Sequence, residues 1–392
     1  MTMKPLLLAL LPLAAVGQTR LSGRVLNSQT HQPVPYASVV VAGTTQGTTA
    51  NAEGEFALTV SRLPAKVLAF GLGYRRDSAN IAQPERGLEL RLMPAPVELP
   101  TVEPPSYAAQ LLMQAYRQVQ RTRQQPEYGQ AFYRQVTRND GQPTEVLEAV
   151  WDVKVSSAGL DGSRIAQGRY GARPALLNFS NFALYTKVVG GFCGVSALDS
   201  TDSHAVVSLY PDRYFMLRYK GVTQSGPHRL AEVAYESRPG VPAVQGSVFI
   251  DLASHQVLHA RATRVAEVTP SNSQVTFRNG SVTVEADFKP FPTGAKLNYI
   301  KSSLSVVAVQ KRKSDVPIHT ESLTYLYDLK SMPTGLPYVG PEAVTNDLAA
   351  IKRKVYDPTY WRDNFMVKRT PLEDEIIGSF ETKNAFGTLL RP

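Results

Sequence analysis

The sequence predicts a mainly β protein, in which an antiparallel sandwich precedes a large curved antiparallel sheet with a leading helix and a short C-terminal helix. Three observations support this fold class. Apolar and polar residues alternate in short segments, as they do in half-buried strands. The 28 Pro and 27 Gly supply many turns. Only 19% of the 392 residues are charged, below the roughly 25% of an average soluble domain, which favours strands and loops over long helices.

The N-terminal segment has the pattern of a secretory signal peptide. Lys4 precedes an apolar run over residues 6–16, and the small residues Ala15 and Gly17 lie just before Gln18. The run is too short for the roughly 20 residues that span a bilayer. We therefore expect residues 1–17 to be removed and the mature chain to be exported. The periplasm, the outer membrane surface and the medium remain open as its final location.

The first folded unit is predicted to be a sandwich of about 80 residues without helices. Its alternating segments are separated by Gly, Pro and Asn, which punctuate strands. The predicted strands cover residues 21–26, 37–41, 54–60, 66–70 and 88–92. Residues 51–54 are expected to form a tight hairpin turn, in which Gly54 adopts a backbone conformation that side chains disfavour.

Residues 18–97 resemble the carboxypeptidase regulatory-like domain, which also precedes many TonB-dependent outer-membrane receptors. The similar motifs lie at residues 23–25, 32–39, 43–49, 53–56 and 73–74. The resemblance implies a seven-stranded, transthyretin-like sandwich with no catalytic residues, in which Phe56 and Tyr74 are core and corner residues. Asn51-Ala52 stands where the family usually has an aspartate, which argues against a metal at this turn.

A proline-rich linker over residues 98–105 is predicted to separate the sandwich from a second domain at residues 106–392. Ser106 is the expected N-cap of a helix that ends near Arg123. The strands predicted after it cover residues 130–138, 146–156, 204–210, 213–220, 230–236, 246–251, 257–268, 274–288, 296–309 and 320–329. Several of them are apolar on both faces, so both faces of the sheet need a cover.

The second domain resembles uncharacterised regions that follow regulatory-like domains in envelope proteins. Phe132-Tyr133-Arg134, Gly168-Arg169 and the segment 246–251 carry this resemblance. The order of helix and sheet is also weakly similar to the half-barrel of periplasmic lipoprotein carriers. That likeness implies a sheet wrapped around a helix, with an apolar concavity able to hold an acyl chain.

The C-terminal segment carries clear helix signals. Thr370 and Glu373 form a capping box, with Pro371 at the first helical position. The expected apolar face consists of Ile376, Ile377 and Phe380. Asp357-Pro358 and Trp361 are predicted to form the turn and anchor that precede this helix.

No catalytic, cofactor-binding or metal-binding residue is predicted, and ligand-binding residues stay unassigned. The single cysteine, Cys193, excludes an internal disulfide and any zinc site with two cysteines; we expect it to be buried, and its role is left open. No histidine has a glutamate three residues later, as a zinc peptidase would need. His255 and His259 flank residues 256–258 in a strand-like region, where four residues would span about 13 Å, too far to share an ion. The carboxylate pair Glu145 and Glu148 lacks a pocket that would indicate a glycosidase.

The net charge of +9 is spread along the chain. Its short basic clusters, residues 311–313 and 352–354, are expected to be solvated. Export argues against a nucleic-acid partner and makes an anionic membrane surface the better one. The leading hypothesis is a non-catalytic exported envelope protein without a cofactor, in which the sandwich docks and the second domain binds a partner protein or an apolar, lipid-like ligand. The alternative is an envelope hydrolase with dispersed catalytic residues. The oligomeric state stays open.

Overall fold

The computed structural model describes residues 19–44, 46–98, 104, 106–179, 182–187, 205–268, 274–311, 313–330, 337–340, 346–363, 367–383 and 386. The expected signal peptide, Cys193 and most of the proline-rich linker lie outside the described residues, so the predictions about them stay predictions. In the described part of the chain, no helix has both the length and the apolarity needed to cross a membrane.

Seven strands form the N-terminal sandwich. They are β1 (Thr19–Asn27), β2 (Ser38–Val41), β3 (Gly47–Thr49), β4 (Glu55–Val60), β5 (Ala65–Phe70), β6 (Asp77–Ile81) and β7 (Arg86–Leu92). One sheet has the order β4-β1-β7 and the other the order β3-β2-β5-β6. The pair β1–β7 is parallel, whereas the sequence predicts antiparallel strands throughout. The short strands β3 and β6 are not among the strands predicted from the sequence, because neither has enough apolar residues to show alternation.

The core and the hairpin turn of the sandwich agree with the sequence. Phe56 is fully buried in the sandwich core, and Tyr74 packs against that core from its edge. The turn before β4 closes with a bond from the Gly54 N–H to the Asn51 carbonyl, and Gly54 has a φ of 70°. Asn51 organises this turn by accepting from the N–H groups of Glu53 and Glu55.

A helix and ten strands form the second domain. The elements are α1 (Tyr107–Thr122), β8 (Glu127–Asn139), β9 (Gln142–Ser156), β10 (Gly159–Ala172), β11 (Phe215–Ser225), β12 (His228–Ser237), β13 (Val244–Asp251), β14 (Val257–Val265), β15 (Val275–Lys289), β16 (Lys296–Gln310) and β17 (Val316–Lys330). The strand order is β10-β9-β8-β17-β16-β15-β14-β13-β12-β11, so the last strand returns to pair with the first. Every pair in this sheet is antiparallel.

Extended segments contact both edges of the large sheet. Glu98 and Val222 of β11 exchange backbone hydrogen bonds at one edge, and Ser163 of β10 and Val339 do so at the other. These contacts satisfy edge groups that could otherwise pair with another chain.

In the second domain, one predicted strand is wrong and one real strand was missed. Residues 205–210 are not a strand; Val206 and Val207 are buried because they pack in the core that surrounds α1. The missed strand is β10, whose glycines hide the alternation. A Cβ at Gly168 would lie 2.7 Å from Ile351, and one at Gly171 would lie 2.7 Å from Phe380. These glycines are therefore needed for the close packing of elements on both faces of β10.

Both faces of the large sheet are covered, as the apolar strands require. Helix α1 lies on the inner face, together with residues 173–179, residues 182–187, which include α2 (Leu184–Lys187), and α3 (Asp347–Lys352). The sandwich, α4 (Pro358–Asp363) and α5 (Pro371–Thr382) cover the outer face. Ser106 occupies the N-cap position of α1, but its side chain makes no capping bond. The capping box predicted at Thr370 is present, and Trp361 is buried as expected.

Helix α1 occupies the centre of the inner face, where the resemblance to lipoprotein carriers implies a concavity for an acyl chain. Six residues of α1 fill its centre: Ala108, Leu111, Leu112, Ala115, Tyr116 and Val119. The gap that remains among Tyr133, Trp151, Phe182 and Asp347 has no room for a water molecule. Another pocket, of about 460 Å³, lies at the end of the sheet beside Val268 and Val306, and a larger space lies on the other side of the sheet.

Candidate ligand-binding site

A cleft of about 1080 Å³ separates the sandwich from the outer face of the large sheet. Its sandwich wall is formed mainly by β2 and β5, and its other wall by the ends of β15, β16 and β17. Small-molecule sites usually have volumes of roughly 300–1,000 Å³ and lie preferentially at domain boundaries. This cleft therefore has the size and the position of a site for a medium-sized organic molecule.

The sandwich and the large sheet contact each other directly on two sides of the cleft. On one side, the Tyr325 hydroxyl donates to the Gly47 carbonyl at 3.3 Å, and the rings of Tyr36 and Tyr299 lie 5.8 Å apart. On the other side, the Gly73 N–H donates to the Gln224 carbonyl at 2.8 Å. The cleft is thus bounded by direct contacts between the sandwich and the sheet.

The sandwich wall of the cleft is apolar because of strand periodicity. Val39 and Val67 point into the sandwich core, so their neighbours Val40 and Leu68 point outward. Phe70 lies on the same outward face as Leu68. All three outward side chains are half-buried and line the cleft. This apolar face explains why strands of a small sandwich have hydrophobic residues on both sides.

Polar side chains lie together on the opposite wall. The Asn298 amide donates to Asp287 at 2.8 Å and lies 3.4 Å from the Ser38 hydroxyl. His259 Nδ1 lies 3.7 Å from an Asp287 oxygen, which is too long for a hydrogen bond. Lys289 lines the same wall. The cleft therefore combines an apolar wall with a small group of polar side chains, as ligand pockets commonly do.

A second polar cluster lies beneath α5, and its arginines form ion pairs with that helix. The Nε atoms of Arg134 and Arg169 each donate to a Glu148 oxygen at 2.7 Å. The same two arginines reach α5 through Glu373, at 3.1 Å, and Glu381, at 2.9 Å. Burial alone would raise the pKa of Glu148, but the charges of Arg169 and Arg134 lower it to about 2.

Aromatic rings complete this cluster. The Arg169 guanidinium lies 4.7 Å from the centre of the Trp361 ring and 4.4 Å from that of Phe386. Such contacts stabilise a cation that has lost its water shell. The paired charges and the covering rings indicate that the cluster fastens the C-terminal segment to the sheet.

A hydrogen-bonded chain of Ser305, His319 and Glu321 lies on the outer face of β16 and β17. His319 Nδ1 is 2.9 Å from the Ser305 hydroxyl, and Nε2 is 2.9 Å from Glu321. These three side chains are of the types found in a serine hydrolase triad. In such a triad Nε2 of the histidine faces the serine and Nδ1 faces the carboxylate, whereas His319 has the opposite arrangement. About two-fifths of the His319 and Glu321 side chains are exposed, and Ser305 is exposed as well.

The carboxylate pair noted in the sequence is divided between the two faces of the sheet. Glu148 lies on the outer face, whereas Glu145 lies on the inner face and accepts from Thr137 and Gln135. Burial raises the pKa of Glu145 to about 7. The two carboxylates therefore cannot act on one substrate. The described residues contain no group of three or more His, Cys, Asp or Glu side chains arranged to hold a metal ion.

Sequence reasoning missed the cleft residues, since their proximity arises from the fold. Ser38 and Asn298 are 260 positions apart in the chain. A partial signal existed for the buried cluster, because Arg134 and Arg169 belong to two of the motifs that carry the resemblance of the second domain. Charged residues in otherwise apolar strands indicate buried pairing, although the sequence does not name the partners.

The first comparison concerns the N-terminal domain. Residues 21–102 match the family model of the CarboxypepD_reg-like domain, which confirms the resemblance predicted from the sequence motifs. The chain is mainly β, and residues 21–102 are the part of it that matches this domain. No curated protein matches the chain.

Two solved structures are weak neighbours. A LolA superfamily protein from Nitrosomonas europaea has 12% identity and a TM-score of 0.21, covering 57% of this chain and 94% of its own. A membrane-associated protein of unknown function from Bacteroides fragilis has 9% identity and a TM-score of 0.17, covering 80% of this chain and 99% of its own. TM-scores this low do not establish a common fold.

Proposed function

We propose that the chain is an exported, non-catalytic envelope protein that binds an apolar small molecule in the cleft between its sandwich and its large sheet. The observation that carries the proposal is the cleft itself, with Val40, Leu68 and Phe70 along one wall. Burial of apolar surface contributes roughly 25 cal/mol per Å², so a hydrophobic ligand would gain free energy along this wall. The signal peptide predicted at residues 1–17 supports export to the envelope.

The sandwich has a structural role in this proposal. It supplies one wall of the cleft and also contacts the C-terminal segment, where the Asn51 amide donates to the Arg369 carbonyl at 3.2 Å and Lys368 lies 3.0 Å from Glu55. The turn at residues 51–54, where the related domains usually have an aspartate, thus contacts the C-terminal segment of the same chain.

Binding is tested by fluorescence titration of the mature protein with N-phenyl-1-naphthylamine, a neutral apolar fluorophore. We expect saturable binding of one molecule per chain, because the cleft has a volume of about 1080 Å³ and can shield the fluorophore from water. Mass spectrometry of molecules that copurify with the mature protein should find an apolar compound. Fluorescence that rises linearly without saturation, together with no copurifying compound, would contradict the proposal.

The alternative function, hydrolysis, has one observation in its favour, the chain of Ser305, His319 and Glu321. Ser305 belongs to a central strand that pairs with β15 and β17, so its backbone is committed to the sheet and provides no pair of free N–H groups for an oxyanion. The three side chains also lie outside the cleft. This geometry favours a surface hydrogen-bond chain over a catalytic one.

Hydrolysis is tested with p-nitrophenyl esters of short and long acyl chains. We expect the same rate for the wild type, for Ser305→Ala and for Ser303→Ala, the last being a matched control on the same face of β16. A rate above buffer that is lost in Ser305→Ala and kept in Ser303→Ala would support the hydrolase and overturn the non-catalytic proposal.

A further inference from the structure

The polar end of the cleft is built around a bulge between β15 and β16. The strand register shifts between Asp287, which pairs with Tyr299, and Phe288, which pairs with Leu297. Asn298 is the extra residue at this shift. Bulges occur next to binding sites because they redirect a side chain. Here the bulge brings the Asn298 amide to the cleft wall beside Asp287.

Two buried polar atoms at this end lack a hydrogen-bond partner in the described part of the chain. They are Asn298 Oδ1 and His259 Nδ1, and their residues are only 1% and 8% exposed. Both side chains line the cleft. A buried polar group without a partner is unfavourable, so such groups are rare unless a ligand or water satisfies them. Asn298 Oδ1 can be satisfied only by a donor, such as a water molecule, whereas His259 Nδ1 can donate to a bound anion when it carries the proton.

Lys289 provides a positive charge at the same place. It is half-buried, lines the cleft and makes no hydrogen bond or ion pair with any described residue. Its cross-strand neighbour Lys296 is different, because that ammonium pairs with Glu127 and lies 4.3 Å from the centre of the Phe291 ring. Burial lowers the pKa of Lys289, against the opposing effect of Asp287. The charge of Asp287 therefore does not offset the burial of this ammonium, and a bound anion that contacts Lys289 directly would stabilise it further.

We propose that the ligand is an amphipathic anion whose head group binds Lys289 and accepts a hydrogen bond from His259, and whose apolar part lies along Val40, Leu68 and Phe70. This inference rests on the proposed function and specifies the chemical class of its ligand. Lys289 determines head-group specificity, while the apolar wall provides affinity that does not depend on charge.

The test compares dodecanoate with dodecanol as competitors of N-phenyl-1-naphthylamine. The two competitors share a chain length and differ in head-group charge. We expect dodecanoate to compete about tenfold less effectively against Lys289→Gln than against the wild type, since a charged contact is lost. Dodecanol should compete equally well against both proteins. Lys289→Arg keeps the charge and should retain dodecanoate binding, and Lys311→Gln, at an exposed lysine outside the cleft, should behave as the wild type.

The outcomes separate this inference from the proposal on which it rests. Equal competition by dodecanoate against Lys289→Gln and the wild type would overturn the role of Lys289 while leaving the apolar site in place. An equal loss of dodecanoate and dodecanol binding would also overturn it, because the effect would then be independent of charge. Failure of the fluorophore to bind the wild type would contradict the proposed function itself.

Discussion

Replacing Glu148 by Gln is expected to destabilise the protein by about 3–5 kcal/mol, the usual cost of removing one partner from a buried ion pair. Glu148 is 1% exposed and accepts from both Arg134 and Arg169, which are themselves buried. Without this carboxylate, the two buried guanidinium groups lose the negative charge that both of them contact. Because domains are stable by only roughly 5–15 kcal/mol, this loss is a large part of the total.

The expected change is measured by urea unfolding of the mature chain at neutral pH. The matched control is Glu89→Gln, which removes a carboxylate from an exposed pair with Arg91, and which should cost no more than about 1 kcal/mol. An equal stability of Glu148→Gln and the wild type would show that the cluster beneath α5 does not fasten the C-terminal segment.

The same carboxylate makes a predictable contribution to acid sensitivity. The pKa of Glu148 is lowered from its ordinary 4.5 to about 2 in the folded state. A lowered folded-state pKa stabilises the protein at any pH above 4.5, and this stabilisation is lost as the pH falls from 4.5 towards 2. The difference in unfolding free energy between the wild type and Glu148→Gln should therefore shrink over this range.

The second large effect is expected from Trp151→Ala. Trp151 is 1% exposed on the inner face, where its ring stacks on Tyr133 with the ring centres 4.9 Å apart. The Lys187 ammonium lies 5.5 Å from the centre of the same ring. Truncation of a buried aromatic residue to alanine typically costs about 3–5 kcal/mol, because the lost contacts leave a cavity.

Thermal unfolding of Trp151→Ala is compared with that of Tyr210→Ala, which removes an aromatic ring that is 54% exposed. We expect a marked decrease in the melting temperature for the first variant and little change for the second. If Trp151→Ala melted at the temperature of the wild type, the inner face would not be the tightly filled core that the structure describes.

The sequence was informative wherever local rules decide the structure. The turn at Asn51 and Gly54 and the capping box at Thr370 depend on residues within one turn, so both could be predicted. Strand β10 could not, because its glycines are explained by Ile351 and Phe380, which approach from distant parts of the chain. The segment at Val206 and Val207 shows the opposite error, since a buried loop has the same apolar run as a strand.

The candidate site could not be predicted from the sequence either, because its residues come from distant parts of the chain. Each residue of the cleft has an ordinary local explanation: Val40 lies on a strand and Lys289 ends one. Only the packing of the sandwich against the outer face of the sheet brings them to one cleft. The resemblance to lipoprotein carriers implies a site on the inner face, whose centre is occupied by α1.

The claim that the ligand binds between the sandwich and the large sheet is tested most directly by filling that space. Val40→Trp adds a large side chain to the half-buried cleft wall, whereas Val265→Trp adds the same side chain at a position that is 71% exposed and outside the cleft. The measurement is the dissociation constant of N-phenyl-1-naphthylamine for both variants and the wild type. The account predicts that Val40→Trp loses binding while Val265→Trp keeps it. Binding by Val40→Trp with the affinity of the wild type would contradict the account.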